Sequence, residues 1–484
     1  MRQHYNPYRI LGIDESSSQA TIERSYNSLT KWLVASKQAG YPGAVSQLDI
    51  AHKAMSYLQE NEFQVKYNPP PLGFSLDLVS SRNIIERLAE PQVVYVLVTV
   101  RPYHTTMTNK TGAIKTGMNL TLVLDHSNSM QGERLERVKN AARAIIERLS
   151  ENDYLSIVQF NDRANVVVES TPVADKASLI SKLALTRASG GTEIYHGLYQ
   201  GMLENRKQSN QNKVNHIILL TDGNTYGDEE LTRNLALQLK RHGIRMSALG
   251  LGTEWNDKFL DDISSLAGGN CQFVKNAKSV GSFMDGIVTH LTDLFADRLK
   301  VAIAANPDVD LEVAFKLSPS PQVLPHDLPE IPLGGLAVER PASFLLQLQL
   351  PANLPTGTYP LIQLLVSADI LNDDSQFLDV VNFNIQVQDG KVEATDPPKK
   401  IVDALGKMAL YNMQEKAHDA LQQGDVKQAT QRLQRLATRL LDLGEQELAD
   451  ETLREVTQLK KTQMLTEEGR KNLKYHTKHL IESD

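Results

Sequence analysis

Four apolar strings recur along the middle of the chain with helical stretches between them: NLTLVLD at 119–125, YLSIVQF at 154–160, NHIILLTD at 215–222 and IRMSALGLG at 244–252. A strand with one face in water alternates apolar and polar residues. These strings do not, so each must be covered on both faces. Helical segments such as Arg134–Leu149 supply the cover. Buried strands that alternate with helices form a parallel, doubly wound sheet. In such a sheet the loops at the carboxyl ends of the strands line the crevice where ligands bind.

The flanks have a different texture. From about Val301 to Gln388, ten of the chain's 20 prolines fall between Pro307 and Pro360, among alternating runs such as LEVAFKL, SFLLQLQL and VVNFNIQV. That pattern predicts an antiparallel β-sandwich. Upstream, PQVVYVLVTVRPY at 91–103 also reads as a strand, with a short amphipathic stretch before it and no helix linking it to the parallel sheet. The sandwich would otherwise leave an open edge. Val93–Val100 is therefore expected to pair with a strand beyond Val301. The parallel-sheet domain would then be an insertion, tethered by crossings near 104–118 and 292–300, with its last helix at about Val280–Leu291.

Both ends read as helical. Ile22, Tyr26, Leu29 and Leu33, then Ala51, Ala54, Met55 and Leu58, recur at three- to four-residue spacing, with Gly40, Pro42 and Gly43 between the two sets. Pro69–Pro71 would end this unit as a stiff linker. After Pro398, Ala417, Ala420 and Leu421, a Gly424–Asp425 turn, and Ala429, Leu433, Leu436, Leu440 and Leu441 describe a helical hairpin. Further helices would carry Leu448, Leu453 and Val456, then Leu473 and Leu480. The expected organisation is a helical unit at 1–68, a linker and one sandwich strand at 69–116, the doubly wound domain at 117–294, an antiparallel β-sandwich at 295–394 and a helical domain at 395–484. The 484 residues make this a multidomain α/β chain.

Composition narrows the function classes. A chain that is 41% apolar and 23% charged is globular. No apolar run approaches the roughly 18 residues that cross a bilayer, and MRQHYNPYRI lacks the apolar core of a secretory signal. Cys271 is the one cysteine, which suits a reducing compartment, so the cytoplasm is the expected location. With 51 basic and 58 acidic side chains the net charge is −7, which offers no footprint for nucleic acid.

The chemistry concentrates at strand ends. NLTLVLD runs into Asp125-His126-Ser127-Asn128-Ser129, an acid and two hydroxyls at alternate positions on one loop. Gly190-Gly191-Thr192 supplies a third hydroxyl and Thr221-Asp222-Gly223 a second carboxylate. Taken singly, each loop suits helix caps and turns. Taken together, Asp125, Ser127, Ser129, Thr192 and Asp222 form a hard oxygen set suited to Mg²⁺ or Mn²⁺. Two formal charges leave the ion electrophilic, so an outside carboxylate could complete its shell. Because these residues lie in loops, their substitution is expected to spare global stability. His126 takes the alternate side of its loop and is not expected to be a ligand. His196, His216 and Cys271 read as structural. No Walker loop, paired-histidine zinc helix or nucleophile elbow occurs.

The strings LVLDHSNSM, VQFNDRA, GGTEIYHGL, IILLTDG and SALGLGTEWNDKFLDDISSLAGG resemble a von Willebrand factor A-type domain with a metal-ion-dependent adhesion site, over about Gly117–Leu291. The resemblance implies direct metal ligation by Ser127, Ser129 and Thr192, with Asp125 and Asp222 acting through water or through the hydroxyls. Glu193, after Thr192, departs from the family's pattern and would either raise cation affinity or hinder an acidic ligand. A second set, NPYRILGI, ATIERSYNSLTKWL and AMSYLQENEFQVKYN, resembles a J-domain that has Val34-Ala35-Ser36 in place of the family's His-Pro-Asp. The expected function is a non-enzymatic adaptor or scaffold that docks Asp or Glu side chains of a partner protein through the metal site. The first resemblance implies an AAA-type ATPase among the partners. The alternative is a co-chaperone acting on a chaperone system through its N-terminal unit.

Overall fold

The computed structural model describes residues 2–104, 117–208, 213–221, 225, 227–251, 256–269, 271–274, 294–319, 321–338, 340–371, 375–393, 395–442, 444–462, 464–466 and 480. The chain divides into two compact units. One comprises Met1–Thr111, Phe295–Lys416 and Thr477–Asp484, and the other Gly112–Leu294 and Ala417–His476.

The first unit is built on two sheets. One has the order Gln322–Val323, Asp310–Ser318, Ala342–Leu350, Gln92–His104, Leu72–Ser80. The other runs Arg2–His4, Ser375–Gln388, Gly357–Ile370, Leu294–Ala305, Ile331–Ala337, with Ile84–Glu86 also paired to Ser375–Gln388. Their inner faces enclose one core that includes Phe74, Val94, Val96, Val98, Ile303, Phe344, Leu346, Leu364 and Phe383. Val96 stands opposite Leu346 in an antiparallel ladder, so Gln92–His104 belongs to the sandwich. Along the chain the inserted sequence falls between Gln92–His104 of one sheet and Leu294–Ala305 of the other.

Gln92–His104 is apolar on both faces for a physical reason. Val94, Val96 and Val98 enter the core between the sheets, while Leu97, with Phe315 and Leu345, packs against Ile401 and Ala404 of the helix Lys399–Gln422. The outer face of the other sheet is covered by the helices Pro7–Ile10, Gln19–Gln38 and Gly43–Glu60. Tyr8, Ile22, Ile50, Ala54 and Leu58 pack with Ala302, Leu365, Leu378 and Val380, and Leu33 and Ala44 pack with Ala304. The alternating alanines of VAIAA leave room for this layer. At Gly43 a Cβ would stand 2.4 Å from the backbone of Ile303.

Several expectations are corrected here. Residues 1–68 carry the helices Pro7–Ile10, Gln19–Gln38 and Gly43–Glu60, but their apolar faces are buried on the sandwich and Arg2–His4 is a strand paired with Ser375–Phe377. Val34-Ala35-Ser36 lies inside the helix Gln19–Gln38 with Ser36 buried, so no exposed loop stands where a J-domain carries its tripeptide. Pro69–Pro71 leads straight into the strand Leu72–Ser80, whose Phe74, Leu76 and Leu78 alternate toward the core. The segment 69–91 is thus largely sandwich rather than linker.

The second unit contains the parallel sheet, in the order Cys271–Val274, Arg245–Leu251, Lys213–Thr221, Gly117–Asp125, Tyr154–Phe160, Ala164–Pro172. All neighbours are parallel except the last strand, which is antiparallel to Tyr154–Phe160, so the sheet is mostly parallel; the edge strand itself was not singled out from the sequence. Its side chains are mostly half-exposed at the sheet edge, so it carries no continuous apolar run. The helices Glu133–Arg148, Glu229–Arg241 and Asp257–Leu266 follow strands as expected, and Ile194–Arg206 follows the short helix Lys176–Ala184. Val280–Leu291 lies outside the described residues. The C-terminal hairpin is present as Lys399–Gln422 and Val426–Asp442, followed by Gln446–Thr462. Leu473 lies outside the described residues. Among these residues no helix is long and apolar enough to cross a membrane.

Candidate metal centre

Asp125 ends the central strand of the parallel sheet, in register with Phe160. The ladder continues for one residue, His126 N–H donating to Phe160 O at 3.0 Å, and then the chain turns. The turn is set by Asp125 itself, whose Oδ1 accepts the amide proton of Ser127 at 2.9 Å. A single 3-10 turn, Asn128–Met130, follows. It brings Ser127 Oγ and Ser129 Oγ to 2.9 Å from each other, with Ser127 buried and Ser129 exposed.

The Thr192 loop is fastened beside this turn. Ser189 N–H donates to His126 O at 2.8 Å and Asn128 N–H to Gly190 O at 3.1 Å. Asn161, in the loop after the neighbouring strand, donates from Nδ2 to Ser189 O at 2.9 Å and accepts from Glu193 N–H at 2.7 Å on its carbonyl. Gly190 has φ +78°, a backbone conformation that strains any residue with a side chain, and a Cβ there would also push on the carboxylate of Asp162, 2.6 Å away. Thr192 is buried. The third loop is tied in by Thr221, whose hydroxyl donates to Asp125 Oδ2 at 2.6 Å. Asp222 lies outside the described residues. The structure therefore links Asp125, Ser127 and Ser129 to the Thr192 loop and to the strand end that precedes Asp222.

Two participants were not singled out from sequence. Thr221 orients the Asp125 carboxylate and Asn161 pins the Thr192 loop. Both lie inside the quoted strings, but only the crossing of the strands reveals what they touch.

The other candidates are structural. His126 is buried, with Nδ1 at 3.1 Å from Arg187 O and Nε2 without a hydrogen-bond partner among the described residues. His196 Nε2 meets Glu193 Oε2 at 2.9 Å, so the acid next to Thr192 is engaged within its own helix start. His216 is buried against Ser247 Oγ at 3.2 Å, and burial pushes it down to about 3, leaving it neutral. Cys271 is buried.

The donor set fits a small hard cation. For an octahedral ion with metal–oxygen distances of about 2.1 Å, adjacent ligand oxygens lie about 3 Å apart. The Ser127–Ser129 separation of 2.9 Å matches such an edge. Among the described residues no three His, Cys, Asp or Glu side chains gather into a metal-binding group, so the donors on offer here are hydroxyls backed by one carboxylate.

A model of the von Willebrand factor type A domain matches residues 119–286, and a model of the Sll0103-like C-terminal α-helical domain matches residues 399–483. Residues 6–68 fall outside both, and the J-domain resemblance finds no support. The uncharacterized protein sll0103 of Synechocystis sp. is 30% identical over 333 residues, covering 66% of this chain and 78% of that protein. Human inter-alpha-trypsin inhibitor heavy chain H2 is 28% identical over 162 residues, 30% of this chain and 17% of that protein. Von Willebrand factor type A from Catenulispora acidiphila superposes with a TM-score of 0.64 at 16% identity, over 80% of this chain and 91% of that one. The ArnB paralog VWA2 from Sulfolobus acidocaldarius gives 0.56 at 13% identity, over 85% and 99%. These two show the same fold. A domain of this type is a module of protein–protein interaction or adhesion. The chain belongs to the Sll0103-like family, in which a von Willebrand factor type A domain is joined to a C-terminal α-helical domain.

Proposed function

We propose that this protein is a non-enzymatic adaptor that docks partner proteins through a Mg²⁺ or Mn²⁺ ion. Ser127, Ser129 and Thr192 would hold the ion directly. Asp125 and Asp222 would act through water or by orienting the hydroxyls. The observation that carries this reading is the pair of serine hydroxyls 2.9 Å apart beside Asp125. Asp125 supports it further: both its oxygens already accept protons, from Ser127 N–H and Thr221 Oγ, so it positions donors and adds charge. An ion facing few formal charges stays electrophilic, and a carboxylate from outside, a partner's Asp or Glu, is the natural sixth ligand. An AAA-type ATPase is one partner class to test. The single, buried cysteine supports a reducing compartment, the cytoplasm. Titration calorimetry should find one Mn²⁺ or Mg²⁺ site in the full chain that Ser127→Ala removes while circular dichroism stays unchanged. Equal binding by Ser127→Ala would sink the assignment.

A further inference from the structure

The helix Ile194–Arg206 begins two residues after Thr192, and the first amide protons of a helix need acceptors from outside it. The residue at its cap position, Glu193, makes no side-chain capping bond. The acceptors come instead from the connection that follows Thr221. Ile194 N–H donates to Thr225 Oγ1 at 3.2 Å, and Tyr195 N–H donates to Asp228 Oδ2 at 2.7 Å. Thr225 Oγ1 in turn donates its proton to Asp228 Oδ1 in a close contact, and it lies 3.4 Å from the carbonyl oxygen of Thr192.

Asp228 is unusual in what its carboxylate does. It stands at the cap position of the helix Glu229–Arg241, where an aspartate ordinarily accepts from its own helix. Here its side chain makes no such bond and serves the neighbouring helix instead. Asp228 is buried, and its carbonyl is held by Thr232, from N–H and from Oγ1, each at 2.8 Å. The carboxylate is therefore a fixed point, and its negative charge at a helix N-terminus is favourable.

We propose that Thr225 and Asp228 are positioning residues of the cation site, which they do not touch. This rests on the cation reading above. Thr221 is bonded to Asp125 by its hydroxyl, while Thr225 and Asp228 accept the first amide protons of the helix that follows Thr192 and Thr225 Oγ1 lies 3.4 Å from the Thr192 carbonyl oxygen. Together these bonds help set the place of the third hydroxyl relative to the first two. Loosening the Thr225–Asp228 end lets the helix start and the Thr192 carbonyl shift, while the bonds of Ser189, Gly190 and Glu193 still keep the loop beside the Ser127–Ser129 turn. Groups that orient ligands without binding the metal typically change metal affinity by about 10- to 100-fold when removed.

The test is Mn²⁺ affinity of the full chain, measured by calorimetry. Alongside it, thermal melting is recorded in chelator, and amide exchange of the segments 192–196 and 225–228 is followed with and without Mn²⁺. Thr225→Val should weaken Mn²⁺ binding about tenfold, Asp228→Ala by more, and Thr225→Ser should restore the parental value. In the parent, added Mn²⁺ should slow exchange in both segments together, and Thr225→Val should break that coupling. Ile263→Ala, a core truncation on another helix, should lower the melting temperature and leave Mn²⁺ affinity unchanged. Parental affinity in Thr225→Val, or a loss that tracks melting temperature across all variants including Ile263→Ala, overturns the positioning role alone. A parent chain that takes up no Mn²⁺ overturns the cation reading, and this role falls with it.

Discussion

Thr221 donates its hydroxyl proton to Asp125 Oδ2 across 2.6 Å, from the end of one buried strand to the end of its neighbour. Asp125 Oδ1 meanwhile takes the amide proton of Ser127 at 2.9 Å, and the whole residue is buried. The expectation that the site residues can be replaced at little cost to stability therefore needs correction for Asp125. Asp125→Ala removes the acceptor of two buried donors, and losing each bond costs about 1–3 kcal/mol. Its melting temperature should fall by several degrees even in chelator. Ser127→Ala removes one hydroxyl whose contact is Ser129 and should melt close to the parent. Equal melting of the two variants would show that the carboxylate is not a structural anchor.

Partner binding should follow the metal. Ser129 is exposed and Thr192 buried, so Ser129→Ala and Thr192→Ala remove one accessible and one covered hydroxyl of the proposed ligand set. Both should weaken capture of a carboxylate-bearing partner, and EDTA should reproduce either loss. A partner retained equally in EDTA would move the interface to another part of the chain.

Helix Ile194–Arg206 lies close on the sheet because two of its residues lack a side chain. A Cβ at Gly197 would stand 2.6 Å from ring atoms of the buried Phe160, and one at Gly201 would stand 2.7 Å from a methyl of Val123. Alanine is the better helix former by about 1 kcal/mol, yet overpacking costs about 1–3 kcal/mol. Gly197→Ala should therefore lower stability in denaturant titrations. A gain would mean that the Phe160 ring has room to turn aside.

Asp379 is buried where the N-terminal helices cover the sandwich. Burial pushes its carboxyl up from 3.8 to about 6, although Arg9 Nε at 2.9 Å and the Val380 N–H at 2.9 Å pull the other way. Between about pH 4 and pH 6 the folded chain keeps a proton that the unfolded chain has released, so folding is favoured at the acid end. That contribution is lost as the pH rises through the folded value. From pH 4 to pH 7 the parent should lose on the order of 2 kcal/mol more stability than Asp379→Asn. Parallel stability curves for the two proteins would show that this carboxylate stays hydrated.

The parallel sheet and its site loops were legible in sequence because each rests on local grammar. NLTLVLD, YLSIVQF and IILLT are mostly apolar and almost wholly buried because helices cover both faces, and Asp125-x-Ser127-x-Ser129 turns on a bond between residues two apart. The pairing of Val93–Val100 with a strand beyond Val301 could also be inferred, since an unpaired apolar strand needs a partner. Tertiary structure alone decided what distant faces cover. The helices of residues 7–60 are amphipathic in sequence whether free or docked, and only the packing of Ala302 and Ala304 beneath them ties them to the sandwich. Thr221, Asn161, Thr225 and Asp228 are common turn and cap residues as text. They gather around Asp125 and the Thr192 loop because Gly117–Asp125, Tyr154–Phe160 and Lys213–Thr221 all end at one end of the sheet, and a hydrogen bond is a matter of distance in space rather than separation along the chain.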